Sequence, residues 1–178
     1  ELDRTRITAP IRGTVSERYI RLGALVSRNE VAYDIVDFAS IVAPVFVSFH
    51  APSRHEPLAD LVRPLLDLAH EYGGYFNLLD FGDKGGLILV LFGAPRAHGD
   101  DTERAADFAL AANATLGNRG RQGLAAGTVF AGYVGNDSRS TYTALGVSVN
   151  LSARLATGAE WGQAVAAGEA AERLGQNQ

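Results

Sequence analysis

The spacing of apolar residues predicts that strands and helices alternate along most of this chain. Residues 44–49 form an apolar run that is typical of a buried strand. Leucine, valine and alanine then recur at helical spacing through residues 58–69, with Pro57 near the expected helix start. The pair Gly73-Gly74 predicts the end of this first helix.

A hairpin and a second helix are predicted next. Residues 75–80 and 87–92 have the composition of strands, and the glycine-rich turn 82–86 joins them. A helix is predicted from about Asp101 to Leu116, because acidic residues in its first turn suit the positive end of the helix dipole.

The last third of the chain completes an α+β pattern. We predict a strand over 122–134, a polar loop over 136–140, a turn feeding a helix over 147–157, and a strand near 163–167. Residues 168–178 predict a short helix with a frayed tail. The order βαββαβ indicates a ferredoxin-like antiparallel sheet with helices on one face.

Residues 1–42 differ in character from residues 43–178, which predicts two domains. Short β-like runs alternate there with proline and glycine. The pattern T-x-I-x-A-P-x-x-G-x-V, followed by G-x-x-V, resembles the second half of a lipoyl-like domain, as in the periplasmic adaptor proteins of efflux pumps. No lipoylation motif accompanies it, which disfavours a swinging-arm carrier. The alternative is a small β-rich extension that packs on the main domain.

Composition excludes several classes of protein. The chain has 178 residues, is 47% hydrophobic and carries a formal net charge of −4, so it is globular and an unlikely partner for nucleic acid. It has no cysteine, which rules out disulfides and thiolate zinc sites. No apolar run approaches the roughly 20 residues that span a bilayer, and we expect a cytoplasmic location. The absence of methionine predicts a fragment or a processed chain.

Asn150 and Arg154 are the first candidates for chemistry. They stand four residues apart on the predicted helix and so project from one face. An amide and a guanidinium on one face can hold a sugar oxygen and a phosphate together. The alternative is an ordinary polar helix face.

The residues around this pair resemble a known family. Residues 123–135 follow G-x-x-x-G-x-V-x-x-G-x-V-G, and residues 142–154 follow Y-T-x-x-G-x-x-V-N-x-x-x-R. Together they resemble the catalytic domain of the class III adenylate and guanylate cyclases. Asp83-Lys84-Gly85 before an apolar run is most similar to the second cyclase domain of soluble adenylyl cyclases. The resemblance extends over roughly residues 43–174.

The resemblance implies a site shared by two domains. In this family the ribose 3′-oxygen attacks the α-phosphate of ATP or GTP, and two aspartates of one domain hold two divalent ions. The facing domain supplies an asparagine that orients the ribose, an arginine that stabilises the transition state, and two purine readers. Asn150 and Arg154 match the first two roles, and Thr143 matches a purine reader. A plain turn threonine is the alternative for Thr143.

Other positions depart from the family pattern. Ala51 occupies the position of the first metal aspartate, and His50 beside it is expected to be structural. Asp83 is a candidate for the second metal ligand, although a turn aspartate is the simpler interpretation. The purine-reading lysine should fall near Asn77 or Leu78, which carry no charge, whereas Lys84 lies beyond the strand in the turn.

The resemblance therefore implies half of an active site. The chain would contribute Asn150 and Arg154 to an adenylate cyclase site that makes cyclic AMP and pyrophosphate, with Mg or Mn held mainly by a second cyclase domain in cis or trans. Such a domain is expected to be inactive alone. The alternatives are a catalytically inactive pseudo-cyclase that senses nucleotide or dimerises, and an efflux adaptor fragment, which fails to explain residues 70–157.

Overall fold

Seven strands and three helices are described in a computed structural model. It describes residues 14–18, 33–52, 57–82, 85–136, 139–168 and 170–172. In chain order the elements are β1 (Thr14–Arg18), β2 (Tyr33–Phe49), α1 (Leu58–Glu71), β3 (Tyr75–Gly82), β4 (Gly85–Phe92), α2 (Asp101–Leu116), β5 (Gly120–Asn136), β6 (Arg139–Leu145), α3 (Val147–Gly158) and β7 (Ala164–Gly168). None of these helices has the length and apolar character needed to cross a bilayer.

The sheet confirms the predicted α+β, ferredoxin-like core. The strand order is β3-β4-β2-β5-β6, and all four of these neighbouring pairs are antiparallel. The predicted βαββαβ unit runs from β2 to β5. Two strands lie off this path, because β1 pairs antiparallel with the start of β2 and β7 pairs parallel with the first part of β5.

Each face of the sheet builds its own apolar core. Along β2, Val45 and Val47 face α1 and α2, whose leucine, valine, alanine and phenylalanine residues complete the first core. Val42 and Phe46 face the other way, into a second core that β6 and α3 complete. The period of two along a strand explains this division. α3 therefore lies on the face opposite α1 and α2.

A glycine on β5 lets α3 approach the sheet closely. A Cβ at Gly123 would overlap the carbonyl oxygen of Ser152 and the amide nitrogen of Ala156. Only a residue without a side chain fits this position. The helix turns a stripe of small buried residues toward the sheet: Ser148, Ser152 and Ala156.

The predictions of α1, α2 and α3 are confirmed, whereas most of the short helix predicted over residues 168–178 lies outside the described residues. One turn prediction is wrong. Residues 142–145 were expected to belong to a turn, whereas they form the end of β6, paired with the second half of β5. The reason is packing, because Ala144 is buried and Tyr142 packs against the same core, so alternate residues of a short, partly polar segment gain from the strand conformation.

The domain division at residue 42 stays a prediction. β2 runs continuously from Tyr33 to Phe49, and so through that position. β1 pairs with Tyr33–Val36 at the start of β2. The other short runs of residues 1–32, on which the lipoyl-like resemblance depends, lie outside the described residues.

Candidate active site

Asn150 and Arg154 project from the outer face of α3. Both residues are exposed. At 100° per residue, they lie on the side of the helix opposite the stripe that packs on β5. Val147, which is 82% exposed, lies within about 60° of both in helical angle. Because the opposite side of α3 is fixed to the sheet, the amide and the guanidinium are presented outward from a rigid element.

Neither side chain forms a hydrogen bond or ion pair with another described residue. Asn150 is held through its backbone, whose N–H donates to the carbonyl of Gly146 at 3.2 Å. The backbone carbonyl of Arg154 accepts from the hydroxyl of Thr157 at 3.1 Å. Their polar ends are therefore available for a ligand.

The structure brings Thr143 into contact with Asn77, the position at which a purine-reading lysine was expected. The Asn77 amide donates from Nδ2 to the carbonyl of Tyr142 at 2.6 Å. The hydroxyl of Thr143 lies 3.5 Å from Asn77 Oδ1, at the long limit for a hydrogen bond. The pairing of β3 with β4 shifts register between Phe76 and Leu78, which leaves Asn77 in a bulge. A bulge redirects a side chain, which brings this amide to β6.

Three tyrosines hold β6 against β3 around this contact. The ring centroid of Tyr142 lies 5.5 Å from that of Tyr75 on β3 and 5.3 Å from that of Tyr133 on β5, and both pairs are edge-to-face. Edge-to-face geometry at these distances is favourable. β3 and β6 are the outer strands of the five-strand path, so these rings link its two ends over the second core.

The expected metal position does not suit a cation. Ala51 follows directly after β2 and offers no oxygen or nitrogen from its side chain. The His50 ring stacks on Trp161 with centroids 3.6 Å apart, as its expected structural role requires. Asp80 accepts a hydrogen bond from the N–H of Phe81 at 2.9 Å, and Asp83 lies outside the described residues. No group of three or more metal-binding side chains occurs within the described residues.

Arg121 is a residue that the sequence did not single out. Its Nη1 donates to the carbonyls of Thr157 at 2.7 Å and Ala159 at 3.0 Å, at the C-terminal end of α3. Its guanidinium also lies 4.4 Å from the centre of the Trp161 ring. A cation at a helix C-terminus and over an aromatic face is favourable on both counts. Arg121 thereby fixes the helix that carries Asn150 and Arg154.

Several large apolar side chains of the described residues are exposed. Tyr133 is 75% exposed, Leu145 55%, and Leu78 44%. Val147 stands on the same side of α3 as Asn150 and Arg154. An exposed apolar residue beside exposed polar groups is typical of a surface that another protein covers.

Known proteins resemble the chain in sequence and in fold. Adenylate cyclases of Mycobacterium tuberculosis and Mycobacterium bovis are 35% identical to it over 162 residues, which cover 83% of this chain. The chain spans only 35% of the length of these curated relatives. No protein-family model matches the chain.

Two solved structures illustrate the shared fold. The adenylyl cyclase CyaB from P. aeruginosa matches with a TM-score of 0.64 and 23% identity, over 77% of this chain and 81% of that one. The guanylate cyclase domain of RhGC from Catenaria anguillulae, in complex with GTP, matches with a TM-score of 0.63 and 22% identity, over 76% of this chain and 82% of that one.

The fold is thus that of a class III nucleotide cyclase catalytic domain. The sequence relation to the mycobacterial adenylate cyclases agrees with this fold and supports the cyclase domain that the sequence resemblance predicted.

Proposed function

We propose that this chain supplies half of an adenylate cyclase site to a second cyclase domain, which holds the catalytic cations. The proposal depends above all on one observation: Asn150 and Arg154 project together, without described partners, from a helix fixed on its other side. The resemblance to the cyclases assigns this pair its roles, because it implies that one domain supplies an amide and a guanidinium to the shared site.

Each residue has a defined task in this proposal. The Asn150 amide orients the ribose, whose 3′-oxygen attacks the α-phosphorus of ATP. A new P–O bond forms as the bond to the β-phosphate bridge breaks, pyrophosphate leaves, and the 3′-hydroxyl proton passes to solvent on the partner's side. Arg154 donates to the oxygens that gain negative charge, which lowers the barrier. Thr143 and Asn77 face the purine.

The cations must come from elsewhere. Divalent ions of the Mg and Mn type need several oxygen ligands whose charges add, and Ala51 offers none. The residues that the structure describes therefore do not fit a two-metal site. We expect that a homodimer of this chain would contain two Asn150–Arg154 pairs and no competent metal site, and would be inert.

The exposed apolar face supports a partner in this arrangement. Val147 lies on the exposed side of α3 with Asn150 and Arg154, and a facing domain would remove it from water. Burial of such side chains would stabilise an assembly in which the reactive groups lie at the interface. The partner domain belongs either to the same polypeptide or to a second chain.

A pseudo-cyclase is the second candidate, favoured by a different observation. Two of the positions that carry charge in active members of the family are neutral here, Ala51 and Asn77. A domain of this kind would bind nucleotide or a partner domain without chemistry. It would share the exposed α3 face but make no product.

A complementation assay distinguishes the catalytic half-site from the pseudo-cyclase. The partner is a cyclase domain that keeps both metal aspartates and whose own equivalents of Asn150 and Arg154 are replaced by alanine. We expect cyclic AMP from the mixture and none from either half, with Arg154→Ala lowering kcat about 100-fold. The exposed Arg63 on α1 gives the matched control, because Arg63→Ala should leave the rate unchanged.

Two results would reject the catalytic assignment. Equal rates for the wild type and Arg154→Ala would show that the guanidinium takes no part. Association of the two domains without any product, with ATP and Mn both saturating, would establish the pseudo-cyclase instead.

A further inference from the structure

Strand β7 leaves one of its edges without a neighbour among the described strands. It pairs with β5 through Ala164–Gly168, in parallel, and with no other described strand. An unpaired edge presents a row of N–H and C=O groups that can accept a further strand.

The register identifies the groups that point outward. Ala164 is the partner of Gln122, and the Gln122 N–H donates to the carbonyl of Gln163 at 2.9 Å. Backbone groups alternate in direction along a strand, so Val165 turns its N–H and C=O toward β5. The N–H and C=O of Ala164 and Ala166 therefore point away from β5, toward the open edge.

An apolar cavity lies directly beside this edge. It has a volume of about 350 Å³ and lies between α2 and β7. Leu124, only 2% exposed, lines its interior, and Leu110, 63% exposed, stands at its rim. Small residues make room for it: Ala106, Ala109, Ala164 and Ala166. A branched apolar side chain would occupy part of this space.

Asp107 is the charged residue among the described residues that line the cavity. Asp107 on α2 lines the cavity, is exposed, and forms no ion pair with another described residue. A carboxylate beside an apolar cavity favours a ligand that places a cation next to its apolar group.

We infer that the edge of β7 and this cavity bind an extended segment of a partner protein as an added strand. Its backbone pairs with Ala164 and Ala166, a branched apolar residue enters the cavity, and a neighbouring lysine or arginine meets Asp107. An added strand uses all three features, since main-chain bonds provide affinity and a pocket for alternate side chains provides specificity. A helix or a small molecule would leave the outward backbone groups unused.

This surface is separate from the proposed half-site. The cavity lies on the α2 side of the sheet, whereas Asn150 and Arg154 lie on α3, which packs on the other side. The inference therefore stands whether or not the chain takes part in cyclase chemistry.

A labelled peptide provides the test. The probe is an eight-residue peptide in which valine and lysine alternate, and its binding is measured by fluorescence anisotropy. The control peptide has the same sequence, but every second backbone nitrogen is methylated. We expect the first peptide to bind at least tenfold more tightly, because methylation removes the N–H groups that pair with β7. Amide resonances of Ala164 and Ala166 should shift on binding.

Two variants measure separately what the β7 edge and the Asp107 charge contribute to peptide binding. Ala166→Pro removes an outward N–H without touching the pairing with β5, and should weaken binding about tenfold. Asp107→Asn should weaken it about threefold at low salt, whereas Asp67→Asn on the exposed side of α1 should not. Equal affinity of the two peptides, or binding unchanged in both Ala166→Pro and Asp107→Asn, would overturn the inference.

Discussion

In the proposed half-site, the neutral Asn77 would meet the purine base together with Thr143. Its amide contains both a donor and an acceptor, and the Thr143 hydroxyl beside it can act as either. Adenine presents an acceptor at N1, whereas guanine presents a donor there, so groups that can play both roles discriminate poorly. A lysine at this position could only donate.

Asn77→Lys should therefore restore a preference for adenine. In the complemented pair, we expect the ratio of kcat/KM for ATP to that for GTP to rise about tenfold, because a charged donor favours the adenine N1 and opposes the guanine N1–H. Asn77→Ala is the control that removes the amide without adding charge. An unchanged ratio in the lysine variant would show that residue 77 does not meet the base.

At the scale of elements, the position of α3 depends on close packing against β5. Gly123→Ala should destabilise the fold by about 1–3 kcal/mol, because the added methyl overlaps the helix backbone and must push α3 away. Gly158 lies near the end of the same helix with open space around it, so Gly158→Ala should be neutral or stabilise by up to about 1 kcal/mol. Urea unfolding of both variants measures the difference.

The arginine at the end of α3 gives a second test at this scale. Arg121→Ala removes the donor to two helix carbonyls and the cation over Trp161, and should cost about 1–2 kcal/mol. The fluorescence of Trp161 should change as well, because it is the only tryptophan of the chain. Arg96→Ala, at an exposed site outside the helices, should change neither. A loss of stability equal in both variants would argue against a specific role for Arg121.

The sequence predicted those features of the structure that depend on the spacing of residues close together in the chain. The helical period and end signals placed α1 and α2 within a residue or two, and the four-residue spacing placed Asn150 and Arg154 on one exposed face. β6 was missed, because a strand that gains its stability from Tyr75 and Tyr133 shows no strong pattern of its own. The contact between Asn77 and Thr143 depends on a bulge and on sheet closure over 66 residues of chain, which no local pattern contains.

At the scale of the whole molecule, the outer face of α3 should act as an interface. Val147→Glu should weaken complementation at least tenfold, because a charge would be buried against the facing domain. The matched control is Ala59→Glu on the exposed side of α1, where an acidic residue suits the helix start. Analytical ultracentrifugation of each variant with the partner domain measures association directly. Full association of Val147→Glu would place the interface elsewhere.

The methyl group of Ala51 also has a consequence for signalling. If the proposed half-site is correct, synthesis of the second messenger requires two unlike polypeptide regions at once, and its rate follows whichever of them is scarcer. Where the two regions belong to separate chains, loss of either gene product would stop synthesis of the second messenger. A cell could then silence the pathway by withholding either one, without any inhibitor.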